Sequence, residues 1–268
     1  METIISATNP KIKNLLLLQE KSKARREQGL FVVEGKRELE HCIEAGYNVH
    51  TVFVCPEIAG VRWPVGAGHD EGVIPGLTGN LIQVPESLYH KIAYREGTEG
   101  IIAEVEARHI GLEDLVLPEN PLIVVLEAVE KPGNLGAVLR SADAAGADAV
   151  IVSDPLTDLY NPNLIRASIG AVFTVPTVAA SSEETIAFLK AKGVKILTAQ
   201  LQDSSLYYDV DMKGGTAIVM GTESTGLTDV WRRAADAHIR IPMLGRLDSL
   251  NVSVSAAILL FEAVRQRH

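Results

Sequence analysis

Apolar residues are spaced differently in the two parts of the chain. In roughly the first hundred positions, short apolar runs alternate with amphipathic stretches. Residues 11–28, behind Asn9 and Pro10, set Ile12, Leu15, Leu16 and Leu18 among charges and read as a helix. Residues 30–33 read as a strand, 36–45 as a helix stopped by Gly46, and 49–54, 81–84 and 100–105 as further strands. Between them, 56–80 carries Gly66, Gly68, Gly72, Gly76 and Gly79 and reads as a long irregular surface loop.

Beyond about residue 121 the apolar runs lose their polar interruptions, as strands covered on both faces do. Strands are expected at 122–126, 149–152, 173–178, 194–199 and 216–220, with helices at 135–145, 163–168, 183–192 and 252–267. This alternation implies an α/β fold: a mostly parallel sheet with helices on both faces, binding ligands at the strands' C-terminal ends. Pro118 and Pro121 flank a short acidic connection. The expected organisation is a small N-terminal α/β domain over 1–108, a linker over 109–121 and the larger sheet domain over 122–268.

Composition narrows the function. At 268 residues, 47% hydrophobic and 22% charged, the chain reads as a soluble globular protein. No apolar run approaches the roughly 20 residues of a membrane helix, and no secretory signal is expected. Cys42 and Cys55 lack metal-ligand spacing and read as reduced, partly buried thiols of a cytoplasmic protein. The scattered histidines suggest no metal site. A net charge of −9 argues against non-specific coating of nucleic acid. However, Lys11, Lys13, Lys21, Lys23, Arg25 and Arg26 concentrate positive charge near the start. They fit a solvated helix face or a phosphate-contacting patch equally well.

Three segments carry the candidate chemistry: Lys131-Pro-Gly-Asn-Leu-Gly-Ala-Val-Leu-Arg140, Met220-Gly-Thr-Glu-Ser-Thr-Gly-Leu227 and Ile241-Pro-Met-Leu-Gly-Arg-Leu-Asp-Ser-Leu-Asn-Val-Ser253. Each sets glycine and small polar residues where backbone amides can meet a ligand, and three together suggest one composite pocket. Neither a P-loop nor the GxGxxG dinucleotide pattern is present. Asn134 reads as a helix N-cap or, with Arg140, as half of an amide–guanidinium pair suited to a phosphate or ribose hydroxyl. Glu223 reads as a polar turn residue, with Thr222 and Ser224 capping the helix that follows, or as a carboxylate that orients an arginine or attracts a cationic ligand. Ser249 and Asn251 lie in a turn that could face a ligand, whereas Ser253 and Ser255 read as helix-start and core positions.

In that order, residues 134–140, 221–226 and 249–253 resemble the three signature motifs of the SpoU (TrmH-type) RNA ribose methyltransferases, of the SPOUT class. The likeness covers about the last 150 residues, and Phe31-Val-Val-Glu-Gly35 is similar to part of the small substrate-binding domain that often precedes it. The resemblance implies S-adenosylmethionine as methyl donor, a knotted C-terminal fold, and a homodimer whose site draws on both chains. It implies donor contacts at Thr198, Ala199, Gly221, Ile241 and Leu250. It also implies a reacting centre of Asn134, Arg140, Glu223, Ser249 and Asn251.

The expected reaction is in-line methyl transfer to a ribose 2′-hydroxyl of RNA; ribosomal and transfer RNA are both possible substrates, with ribosomal RNA favoured. A guanidinium rarely gives up its proton, so Arg140 is expected to bind phosphate or the developing alkoxide, with Glu223 and Asn134 fixing its pose. Two competing readings are a catalytically silent RNA-binding protein of the same fold and a small-molecule nucleotide enzyme using the same pocket.

Overall fold

A computed structural model describes residues 2–60, 80–94, 99–222, 225–246 and 249–268. Most of the loop expected over 56–80 lies outside the described residues. The chain divides into two compact units: Met1–His109 with Tyr160–Gly170, and Ile110–Leu159 with Ala171–His268. Among the described residues no helix is long and apolar enough to cross a membrane.

The first unit is a sheet of β1 (Glu2–Thr3), β2 (Leu30–Glu34), β3 (Val49–Val54), β4 (Asn80–Gln83) and β5 (Ile101–Glu106). Its order is β1-β4-β3-β5-β2, parallel from β1 through β3 and antiparallel from β3 through β2. Helices α1 (Pro10–Glu20), α2 (Ser22–Gln28), α3 (Lys36–Glu44), α4 (Pro56–Ala59) and α5 (Glu86–Ile92) accompany it. Ile12, Leu15 and Leu18 of α1 are buried with Phe53, Ile82 and Ile102, as the spacing on α1 requires.

The single helix expected over 11–28 is broken at Lys21, whose backbone is extended (φ −112°, ψ 110°). The break is stabilised from the second helix: the Arg25 guanidinium donates to the carbonyls of Leu18 (2.6 Å) and Gln19 (3.2 Å), which α1 leaves unpaired. Arg25 is consequently 4% exposed and drops out of the surface basic patch. Residues 160–170 join this unit through Tyr160. Its ring stacks on Phe31 at 4.2 Å between centroids, while its hydroxyl accepts from the Arg108 N–H and donates to the Arg108 carbonyl.

The second unit opens with β6 (Leu122–Glu127), α6 (Pro132–Ala144) and β7 (Ala149–Ser153). Next in the chain is α7 (Pro162–Ser168), which belongs to the first unit. Then come α8 (Ala171–Thr174), β8 (Thr177–Ala180), α9 (Ser182–Ala191), β9 (Lys195–Ala199) and β10 (Ser205–Leu206). The unit ends with β11 (Thr216–Met220), α10 (Asp229–Ala234), β12 (Ala237–Arg240) and α11 (Val252–Arg267).

The sheet runs β10-β12-β9-β11-β6-β7-β8, with every neighbouring pair parallel. All six residues of β6 are buried, which explains the uninterrupted apolar run. Ile123 and Val125 share one face with Ile151, Ala217 and Val219 and pack against Leu189 of α9 and Trp231 of α10. The Trp231 indole donates to Ser182 Oγ at 2.9 Å, which satisfies its N–H inside the core.

Two expectations change here. The strand placed over 173–178 is helical at Ala171–Thr174 and becomes a strand only at Thr177. Pro176 has no N–H to continue the helical turn and disfavours helix in the residue before it, so the chain switches there. The linker expected over 109–121 buries Leu115 in the second unit's core, with Ile110, Leu112 and Leu117 packed against it.

Arg267, at the end of α11, donates to the carbonyls of Asn120 (2.8 Å), Pro121 (3.2 Å), Met212 (3.0 Å) and Gly214 (2.7 Å). It thereby ties the last helix to the segments entering β6 and β11. Arg267→Ala should cost about 2 kcal/mol, lowering the melting temperature by roughly 4–8 °C. A shift under about 1 °C would show that water satisfies those carbonyls equally well.

Cys42 and Cys55 are both free and fully buried. Burial pushes the Cys42 thiol up to about 12 and raises Cys55 as well. Because the thiolate is the reactive form, neither should titrate with a disulfide reagent at pH 8 until denaturant is added. Rapid labelling of the folded chain would contradict this burial.

Candidate active site

Parallel pairing sends several turns off one edge of the second unit's sheet. At that edge a cavity of about 390 Å³ opens beyond the C-terminal ends of β9, β11 and β12. Ala199 ends β9, Gly221 follows β11 and Ile241 follows β12; all three line the cavity, with Ser249 and Leu250 from the turn before α11. Thr198 is not part of the lining. Its side chain is fully buried, with Oγ1 2.6 Å from Nδ1 of His238 on the paired strand β12. Side chains alternate across a strand, so Ala199, and not Thr198, reaches the cavity.

Gly221 is fixed by sterics. A Cβ there would lie 2.2 Å from the Gly226 carbonyl oxygen and 2.6 Å from the Leu227 nitrogen. The loop closes on itself through this backbone approach, and Gly226 takes a left-handed φ of 69°. Among the described residues, Thr222 is not the cap of the helix that follows, whose N-cap is Thr228. The Thr222 hydroxyl pairs with that of Thr225 at 2.7 Å and accepts the Thr225 N–H, holding the turn, while α10 begins only at Asp229. Glu223 and Ser224 lie outside the described residues.

Asn134 and Asn251 are brought together, with the Asn251 amide donating to Asn134 Oδ1 at 3.2 Å. Asn134 is not an N-cap. Lys131 occupies that position because Pro132, which needs no N–H partner, starts α6. Asn251 is the N-cap of α11, its Oδ1 accepting from the Ser253 N–H (3.0 Å) and Ser253 Oγ (2.6 Å). One asparagine thus starts the last helix and reaches the first motif. Ser255, expected as a core position, lines the cavity. Arg140 stands apart: it is exposed and is not among the residues lining the cavity. Six residues along an α-helix turn it about 240° from Asn134, so the two do not share a face.

Two features at this edge are absent from the sequence reading. Glu127, the last residue of β6, is 3% exposed and accepts from the Thr228 N–H (2.8 Å) and hydroxyl (2.6 Å), joining the first motif's strand to the far limb of the 221–228 loop. A carboxylate at the end of an apolar run with no motif partner gives no signal beyond strand termination. Gln200 lines the cavity; its amide donates to the Gln202 carbonyl at 2.9 Å. Its Oε1 is buried and has no partner among the described residues.

Comparison with known proteins accounts for both units. Residues 121–261 match the SpoU rRNA Methylase family, and residues 9–103 match the MRM3-like substrate binding domain. Among curated relatives, a 23S rRNA (guanosine(2553)-2′-O)-methyltransferase of Bacillus subtilis is 30% identical over 97% of this chain and 98% of its own length. Among solved structures, an RNA 2′-O ribose methyltransferase is 40% identical, with a TM-score of 0.82 over 99% of both chains. An AdoMet-bound rRNA methyltransferase from Sinorhizobium meliloti is 31% identical, with a TM-score of 0.85 over 98% of this chain and 97% of that one. In sequence, in fold and in the order of its three motifs, the chain belongs to the SpoU rRNA methylase family.

Proposed function

We propose that this chain transfers the methyl group of S-adenosylmethionine to a ribose 2′-hydroxyl of structured RNA, and that the RNA is ribosomal. The carrying observation is the single cavity on which turns from two of the signature motifs converge, with the third tied to it through Asn134 and Asn251. Its volume lies within the roughly 300–1,000 Å³ of small-molecule sites.

The residues present fit the donor. Leu227, Ile239 and Leu250 offer apolar wall for an adenine ring, Gly221 allows backbone approach, and Gln200 Oε1 is an acceptor in need of a donor. S-adenosylmethionine supplies an electrophilic methyl group on a sulfonium. The chain's part is to hold that group in line with the hydroxyl and to exclude water. Asn134 and Asn251 orient the acceptor side, together with Ser249 and Glu223. Arg140 binds the target phosphate or the developing alkoxide.

We further propose that the active form is a homodimer and that Arg140 serves the partner's cavity. Its exposure, away from its own cavity wall, supports this. So does α11, which leaves Val254 and Phe261 exposed two turns apart. The N-terminal unit would hold the RNA, as its likeness to a substrate-binding domain suggests. Such an enzyme would meet its RNA in the cytoplasm.

Methyl label from the donor should enter a 2′-O position of 23S rRNA, and single-turnover transfer by Arg140→Ala should fall by about a hundredfold. Label in transfer RNA instead would move the substrate, and absence of donor binding would favour a catalytically silent RNA-binding protein. Near-normal transfer by the variant would remove Arg140 from the reaction.

Mixing Arg140→Ala chains with Gly221→Ala chains should restore about a quarter of wild-type activity if the arginine acts across the dimer. No recovery in a mixture shown to contain heterodimers would place it in its own chain's site.

A further inference from the structure

We propose that Glu127 is a positioning residue for the methyl donor: its buried carboxylate holds residues 225–228 in the form that walls the donor cavity. The proposal rests on the reading of that cavity as the donor site.

Thr228 takes both oxygens of the carboxylate, one through its N–H at 2.8 Å and one through its hydroxyl at 2.6 Å. With Thr228 pinned, Leu227 is set into the core at 4% exposure while still lining the cavity. Gly226, one residue earlier, is pressed against Gly221 so closely that no Cβ fits between them. The carboxylate therefore sets the distance between the two backbone limbs that line the cavity. It has no need to reach the ligand to do so.

The strand end holding Glu127 is itself constrained. Ala128, the next residue, has a left-handed φ of 52°, and its N–H donates to the Ser153 carbonyl of the paired strand β7 at 2.8 Å. A residue with a Cβ rarely adopts this conformation unless its surroundings hold it. The turn that leads on to Asn134 begins here, so one strand end anchors the acceptor side of the site and the donor wall. Charge-assisted bonds suit this role because they are about twice as strong as neutral ones, and at this buried site water is a poor substitute.

The test compares S-adenosylmethionine affinity by calorimetry, KM against kcat, and thermal unfolding in three variants. Glu127→Ala should bind the donor about tenfold more weakly and raise its KM to match, with kcat at saturating donor falling less than about threefold. Glu127→Gln should recover affinity to within about threefold, because its amide oxygen still accepts the Thr228 N–H and the Thr228 hydroxyl can turn to accept its NH₂. A folded Glu127→Ala with unchanged donor affinity, or a loss that Glu127→Gln does not rescue, would overturn the proposal.

Where Glu127→Ala does not fold, Thr228→Val decides. It deletes one of the two bonds and leaves the carboxylate in place. It should weaken donor binding about threefold or more, and unchanged affinity would overturn the proposal. Wild-type protein that fails to bind S-adenosylmethionine would instead remove the donor reading itself, and this inference with it.

Discussion

The parallel alignment of β9, β11 and β6 is the constraint on which the site depends. Val219 lies level with Thr198 on one side and Val125 on the other, so the three strands finish at one edge. Their following turns then leave in the same direction with backbone groups uncommitted to the sheet, where open parallel sheets bind ligands. An antiparallel β11 would send the 221–228 loop to the opposite edge, and no choice of side chains could restore the cavity.

On that edge, short-range polar links do the remaining work. Asn134 and Asn251 join the first motif to the third across 117 positions of sequence, and Glu127 joins the first motif's strand to the second motif's loop across 101. None of these residues needs an unusual environment to make its bond. What is unusual is that one end of one strand serves both. Most single members of the motifs would pass as caps or turn residues, and Asn251 is in fact a cap as well as a link.

Much of the fold was legible because burial on both faces leaves a plain trace. The uninterrupted runs at β6 and β11 marked those strands within a residue of their ends. Shorter elements left little: β12 is four residues long, and α10 has only one buried side chain, Trp231. The segment 160–170 could not have been assigned from its own pattern, because its place in the first unit depends on Tyr160 finding Phe31. At the site, the motifs named the backbone positions that line the cavity. At the neighbouring strand end, Ala199 lines the cavity while the Thr198 side chain hydrogen-bonds His238, a difference of one residue of strand register. The motifs missed Glu127, whose partner is remote in sequence and has no fixed spacing from it.

If the three motifs act as one unit, the Asn134–Asn251 link should show coupling that two independent residues would not. A double-mutant cycle on the methyl-transfer rate tests this directly, using Asn134→Ala, Asn251→Ala and the pair at saturating donor and RNA. Groups acting as a unit are strongly non-additive, so the double variant should be no slower than the slower single variant within about twofold. Effects that multiply, with the double variant slowed by the product of the two single losses, would contradict a site built by tying these turns together.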